Sequence, residues 1–304
     1  MIRRLFARFA AAATILLALT GAASAQPLKV VATFSVIGDL VRTVGGDSVT
    51  VTTLVGPGSD AHVYQPTPQD AKSIAGADLV VVNGLGMEGW IDRLIKASGY
   101  HGRIIVASKG VTVQTMVEEE GGSGKGKRIT DPHAWQNLAN GRIYVSNIAE
   151  ALTKADPANA DGYAKRAKAL AAEIDTMDAW VRQQIAEVPP AKRKIITSHD
   201  AFGYFGQAYG VSFLAPVGIS TESEPTAAGL GQLIRQIKKE GIKALFIETM
   251  TDPRLIEQVA HECGAVVGGT LYSDTLSPEG GPADTYLKMF QHNVPAMTAA
   301  MKNN

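Results

Sequence analysis

The chain has 304 residues, 45% hydrophobic and 19% charged, with 29 basic and 29 acidic side chains and a formal net charge of zero. A balanced charge gives no footing for nucleic acid or for an anionic membrane surface. The single cysteine, Cys263, excludes an intrachain disulfide.

In chain order, the first 25 residues read as a secretory signal peptide. Arg3, Arg4 and Arg8 precede an apolar run too short to span a bilayer, and Ala23 and Ala25 supply the small-residue cleavage pattern. Cleavage is expected after Ala25. No cysteine lies near that point, so no lipid anchor is expected there. An exported chain without disulfides fits a bacterial periplasm.

Short β-branched runs then alternate with helical stretches. Residues 27–34, 77–84 and 103–108 read as buried parallel strands, and so do 193–198, 242–249 and 265–272, with a further strand expected near 50–54. Such alternation predicts an α/β fold with parallel sheets. The chain also overlies itself at one constant offset. Gly38 falls on Gly203, Gly45 on Gly210, Gly76 on Gly241 and Gly99 on Gly264. Two similar α/β lobes are expected, residues 26–150 and 191–304. Residues 151–190 are expected to form one long rigid linking helix. Asp156 would cap it, Pro157 would open it, and Leu170, Ile174, Met177, Trp180, Val181 and Ile185 would be its packing stripe. Some 30 residues of helix make a rod of roughly 45 Å, which resists a large hinge motion. The segment 116–133, MVEEEGGSGKGKRITDPH, reads as a mobile surface loop.

Three histidines follow predicted strands or precede predicted helices: His62 in a Pro-flanked loop, His133 in TDPHAWQN and His199 in TSHDAFGYF. Asp274, in LYSDTLS, follows the strand 265–272. Carboxyl ends of parallel strands are where open α/β sheets bind ligands. Three imidazoles and a carboxylate suit a borderline divalent metal, and a rigid loop lowers the cost of placing His62. The competing reading of each is a surface or hydrogen-bonded loop residue, which is what His101, His261 and His292 are expected to be. Glu248 could be a ligand or an acceptor behind one. Asp200 could cap a helix starting at Ala201.

Together HVYQPTPQD, DPHAWQN, TSHDAFGYF and YSDTLS, with ATFSVIGDLV near the start, resemble the metal-binding periplasmic solute receptors of zinc/manganese ABC importers. The resemblance covers essentially the whole mature chain. It implies two α/β lobes joined by one rigid helix, a metal site in the cleft between them, and His62, His133, His199 and Asp274 as ligands. Zinc members often carry a His-rich loop before the second motif, and here that loop has glutamates but no histidine. Many manganese members have glutamate where this chain has His199, and a third nitrogen favours Zn²⁺ over Mn²⁺.

The expected function is therefore a monomeric, high-affinity periplasmic zinc receptor that delivers Zn²⁺ to an inner-membrane ABC permease, not an enzyme. A manganese receptor of the same type is the alternative. A periplasmic zinc hydrolase would need an open metal position and Glu248 as base, and no H-E-x-x-H or G-x-S-x-G is present. A metal-independent adhesive protein is a third class. A metallochaperone, if one loads the site, would dock near 116–128. The bound ion is expected to keep net positive charge. Affinity should fall as pH drops toward the histidine pKa, about 6.5. Release should begin with Asp274 or His199 in the second lobe.

Overall fold

The computed structural model describes residues 26–119, 126–222 and 225–304. The expected signal peptide lies outside the described residues. The first lobe runs β1 (Leu28–Phe34), α1 (Ser35–Gly45), β2 (Val49–Val55), α2 (Pro68–Ala75), β3 (Leu79–Val82), α3 (Ile91–Ser98) and β4 (Arg103–Val106). A hairpin of β5 (Thr115–Glu119) and β6 (Gly126–Thr130) follows, then α4 (Leu138–Ala155) and α5 (Ala160–Ala186). The second lobe runs β7 (Lys194–Ile196), α6 (Gly203–Tyr209), β8 (Ser212–Leu214), α7 (Ala227–Glu240), β9 (Leu245–Glu248), α8 (Arg254–Cys263) and β10 (Val267–Leu271). Helix α9 (Tyr286–Met301) closes the chain.

Both four-stranded sheets are wholly parallel. The first has the order β2-β1-β3-β4 and the second, read from the same edge, β8-β7-β9-β10. The two lobes thus repeat one strand order, as the glycine offset predicts. All four side chains of β3, LVVV, are buried, because crossover helices cover both sheet faces.

Helix α5 is 27 residues long, about 40 Å. Leu170, Ile174, Met177, Val181 and Ile185 are buried along it, and Trp180 is half-buried at the edge of the stripe. The helix packs against α1, α4 and α9. One continuous core runs from the first sheet through these helices to α6. A smaller core, built from Leu233, Ile237, Leu245, Ile256 and Val259, lies between β9 and helices α7 and α8.

Two local expectations are corrected. Asp156 does not cap α5. It ends α4, and a 3₁₀ turn opening at Pro157 intervenes. Its carboxylate accepts instead from Tyr163 Oη and Asn159 Nδ2, both at 2.7 Å. Residues 116–133 are not simply a loop, since β5 and β6 pair antiparallel with Thr115 opposite Thr130 and Met116 opposite Ile129. β-Branched Thr115, Val117, Ile129 and Thr130 favour this pairing, which the charged composition of the segment conceals.

Close packing around Tyr286 fixes the start of α4. Its hydroxyl donates to Trp135 O at 2.6 Å. A Cβ at Gly141 would lie 2.5 Å from that hydroxyl oxygen and 3.0 Å from the ring. Gly141→Ala should therefore lower stability by about 1–3 kcal/mol, read as a drop in melting temperature. An unchanged melting temperature would mean that Tyr286 moves freely.

Candidate metal site

Each candidate ligand is held by its own loop. His62 lies between β2 and α2. Its backbone N–H donates to Asp60 Oδ1 at 2.8 Å, and Trp90 Nε1 donates to Ala61 O at 2.8 Å. The loop then meets α2, where Thr67 and Asp70 form a reciprocal capping box with Pro68 at the first helical position. His133 precedes the 3₁₀ turn Ala134–Gln136 that leads into α4. Its backbone N–H and its ring Nδ1 both donate to Asp131 Oδ1, at 2.9 and 2.8 Å. His199 follows β7. Its N–H donates to Glu248 Oε1 at 2.9 Å, and its Nδ1 lies 2.8 Å from Glu248 Oε2. Asp274 follows β10.

The structure brings all four together. One nitrogen or oxygen from each of His62, His133, His199 and Asp274 lies within 4.8 Å of the others. His62 Nε2 is 3.1 Å from His133 Nε2 and 3.2 Å from Asp274 Oδ2. His199 Nε2 is 3.0 Å from Asp274 Oδ2, and His133 Nε2 is 3.5 Å from Asp274 Oδ1. His62 is 5% exposed and the other three are 0% exposed. Among the described residues, neither oxygen of Asp274 has a hydrogen-bond donor in bonding geometry. A buried carboxylate in that position demands a cation or protonated partners. The donor set is one a divalent metal ion would satisfy.

The electrostatics follow from the same distances. Burial opposes charge on His133, but Asp274 and Asp131 outweigh it and push the imidazole up to about 9. Burial likewise opposes charge on His199, while Glu248 and Asp274 hold it well above the usual histidine range. Burial would raise Asp274, yet His133 and His199 hold it well below the usual carboxylate range. Without metal, protons on imidazole stand in for the cation. Asp200 beside them is pushed up to about 6, by burial and then by the charge of Asp131.

Glu248 is not aimed at the cluster centre. It sits behind His199, with Oε2 2.8 Å from Nδ1, where its charge favours a proton on Nδ1 over one on Nε2. Asp131 does the same for His133 and escaped sequence reasoning, although a signal was present. Asp60-Ala61-His62 and Asp131-Pro132-His133 share one D-x-H spacing. Asp131 and Glu248 thus place two further carboxylates behind the imidazoles, beyond Asp274 itself. Asp200 does not cap a helix: α6 starts later, at Gly203, and the cap position is Phe202. Gly203 is needed for close approach, since a Cβ there would sit 2.6 Å from Asp131 Oδ2. His101 and His261 are exposed, and His292 contacts Thr270 O, so none joins the cluster.

Two clefts reach the cluster. One, of about 620 Å³, leads to His62 between Met87, the hairpin residues Arg128 and Ile129, and Ile219 of the second lobe. The other, of about 740 Å³, leads to His199 past Asp60, Val217, Thr221 and Met250. No helix among the described residues is long and apolar enough to cross a membrane.

Comparison with known proteins matches residues 30–300 to the family ZnuA, described as "Zinc-uptake complex component A periplasmic". The manganese ABC transporter substrate-binding lipoprotein PsaA of Streptococcus anginosus is 34% identical over 279 residues, covering 90% of this chain and 89% of that protein. The structure is similar to the periplasmic zinc binding protein TroA from Treponema pallidum, with a TM-score of 0.82 and 30% identity. It is also similar to a Mn-bound periplasmic metal binding protein from candidatus liberibacter asiaticus, with a TM-score of 0.79 and 33% identity. Each of these two structural comparisons covers 90% of this chain and 99% of the other.

Proposed function

The chain belongs to the ZnuA family of metal-binding periplasmic solute receptors of ABC transporters, and from that premise we propose that it captures Zn²⁺ for an inner-membrane importer. It is a substrate-binding protein and not an enzyme, and its function implies partnership with an ABC permease. The proposal assigns the metal to His62, His133, His199 and Asp274. The observation that carries it is the convergence of three imidazole nitrogens and one carboxylate at a buried point. Four donors in a closed shell suit a cargo site; catalysis would want a labile water. Three nitrogens support zinc.

Manganese is the second reading, and one observation favours it. Both oxygens of Asp274 face the cluster, so bidentate binding would add a fifth donor and more oxygen character. The proposal further includes export to the periplasm after cleavage following Ala25, a monomeric mature chain, lobes of 26–150 and 191–304 joined through 151–190, and the segment near 116–128 as the dock for any loading metallochaperone.

Calorimetry of the mature chain tests the ligand assignment. Metal requires neutral imidazoles, and His133 and His199 have raised proton affinities in the free protein. Zinc should therefore bind one-to-one and release about two protons near pH 7, counted by varying the buffer. Affinity should fall as pH drops below about 9, not only below 6.5. Binding without proton release would remove these histidines from the site.

A further inference from the structure

Asp274 belongs to the second lobe by chain order, but the first lobe holds it. Ser273 O accepts from Trp135 Nε1 at 3.0 Å and from Gln136 Nε2 at 2.9 Å. Gly58 N donates to Thr275 Oγ1 at 2.7 Å, and Leu276 N donates to Ser35 Oγ at 2.9 Å. Both residues flanking Asp274 are thus tied to the elements that carry His62 and His133. The helix beyond is anchored on the same side, because Tyr286 N donates to Asp39 Oδ2 at 2.8 Å. Toward the second sheet, the backbone tie lies three residues back at Leu271, which pairs with Glu248 and accepts from Thr249 N at 3.1 Å, and Ser273 adds a 3.8 Å contact from its hydroxyl to Met250 Sδ, so residues 272–274 are the link that must flex.

His199 is attached differently. Glu248 accepts its backbone N–H and lies 2.8 Å from its ring Nδ1, and Ser198 Oγ accepts from Glu248 N at 3.1 Å. His199 pairs with Val217 in an isolated bridge, and Asp200 N donates to Gly218 O at 3.1 Å. The loop 217–222 therefore moves with His199. One side-chain bond joins that loop to the His62 loop: Thr221 Oγ1 donates to Asp60 Oδ2 at 2.6 Å. The other oxygen of Asp60 accepts the backbone N–H of His62. Asp60 and Thr221 line the cleft that reaches His199, whereas the cleft to His62 lies beside Ser220 and Glu222.

We infer that the site opens three against one. His62, His133 and Asp274 stay together as one unit on the first lobe, and His199 departs with Glu248 and the loop 217–222. Trp135, Gln136 and Gly58 are positioning residues for Asp274, and the Asp60–Thr221 bond is the clasp that breaks first. This narrows the expectation that Asp274 or His199 leads release to His199 alone, and it needs no hinge in α5. The inference rests on the reading of these four residues as metal ligands.

Hydrogen exchange on residues 26–304, with zinc bound and with zinc removed by a chelator, tests it. Amides of 196–222 should exchange at least tenfold faster without zinc, while those of 273–276 keep the protection of 57–64. Deprotection of 273–276 together with 196–222 would overturn the three-against-one division. Thr221→Val should speed zinc loss to a chelator about tenfold, the effect of one charge-assisted hydrogen bond. Thr221→Ser, which keeps the hydroxyl, should restore the slow rate. An unchanged rate in Thr221→Val would overturn the clasp. Zinc that alters exchange nowhere would instead overturn the metal reading itself, and the inference with it.

Discussion

Asp274→Asn weakens zinc binding at least a hundredfold and lowers the proton affinity of His133. The side chain keeps its shape and loses the only charge among the four proposed ligands. Closed four-ligand zinc sites bind with about 10–16 kcal/mol. An even share is about 3 kcal/mol per ligand, or about two decades of affinity. Asparagine removes the charged share, so that figure is a floor. The second effect needs no metal. Asp274 is the largest influence raising the His133 imidazole to about 9, so the amide variant should titrate markedly lower. Histidine resonances followed against pH in the metal-free protein read this directly. Unchanged zinc affinity would remove Asp274 from the site, and an unchanged His133 titration would mean that Asp131 alone sets it.

Glu248→Ala is expected to cost both metal and fold. Glu248 accepts the His199 backbone N–H and faces its Nδ1, in a position wholly out of solvent. Loss of the outer carboxylate should weaken zinc binding by about 10–100-fold. It also strands one partner of a buried pair, a change that costs about 3–5 kcal/mol. The pH dependence has a definite sign. The folded-state pKa of His199 is raised, so the pair's contribution is fully present below the unfolded value, about 6.5. It is lost as pH rises through the folded value. Denaturant unfolding of the metal-free proteins should show the widest gap between wild type and variant below about pH 6.5. A gap that widens at high pH would contradict the pairing.

Much of this was legible in the chain because the relevant signals are local. Continuous β-branched runs such as LVVV mark strands buried on both faces, and matching glycines mark the repeated lobe. His62, His133, His199 and Asp274 stand out because each follows a strand or precedes a helix. Features settled by distant partners were not legible. Asp156 and Asp200 are good caps by type, yet Tyr163 and Asn159 claim the first, and α6 starts too late for the second. β8 has three residues and no periodicity to read. The D-x-H spacing was visible, but whether Asp131 reaches the ring of His133, while Asp60 turns its second oxygen to Thr221, depends on the fold. The hold of Trp135 and Gln136 on Ser273 joins residues more than 130 positions apart, and no local pattern encodes it.

The measurement that bears most directly on the cargo is competition between Zn²⁺ and Mn²⁺ at buffered free-ion levels, on the mature wild-type chain and on His199→Ala. Zinc should occupy the site one-to-one and resist displacement by manganese, and His199→Ala should lose most of that preference along with affinity. Manganese displacing zinc at matched free-ion concentrations would contradict the zinc assignment and make Asp274's two oxygens the deciding donors.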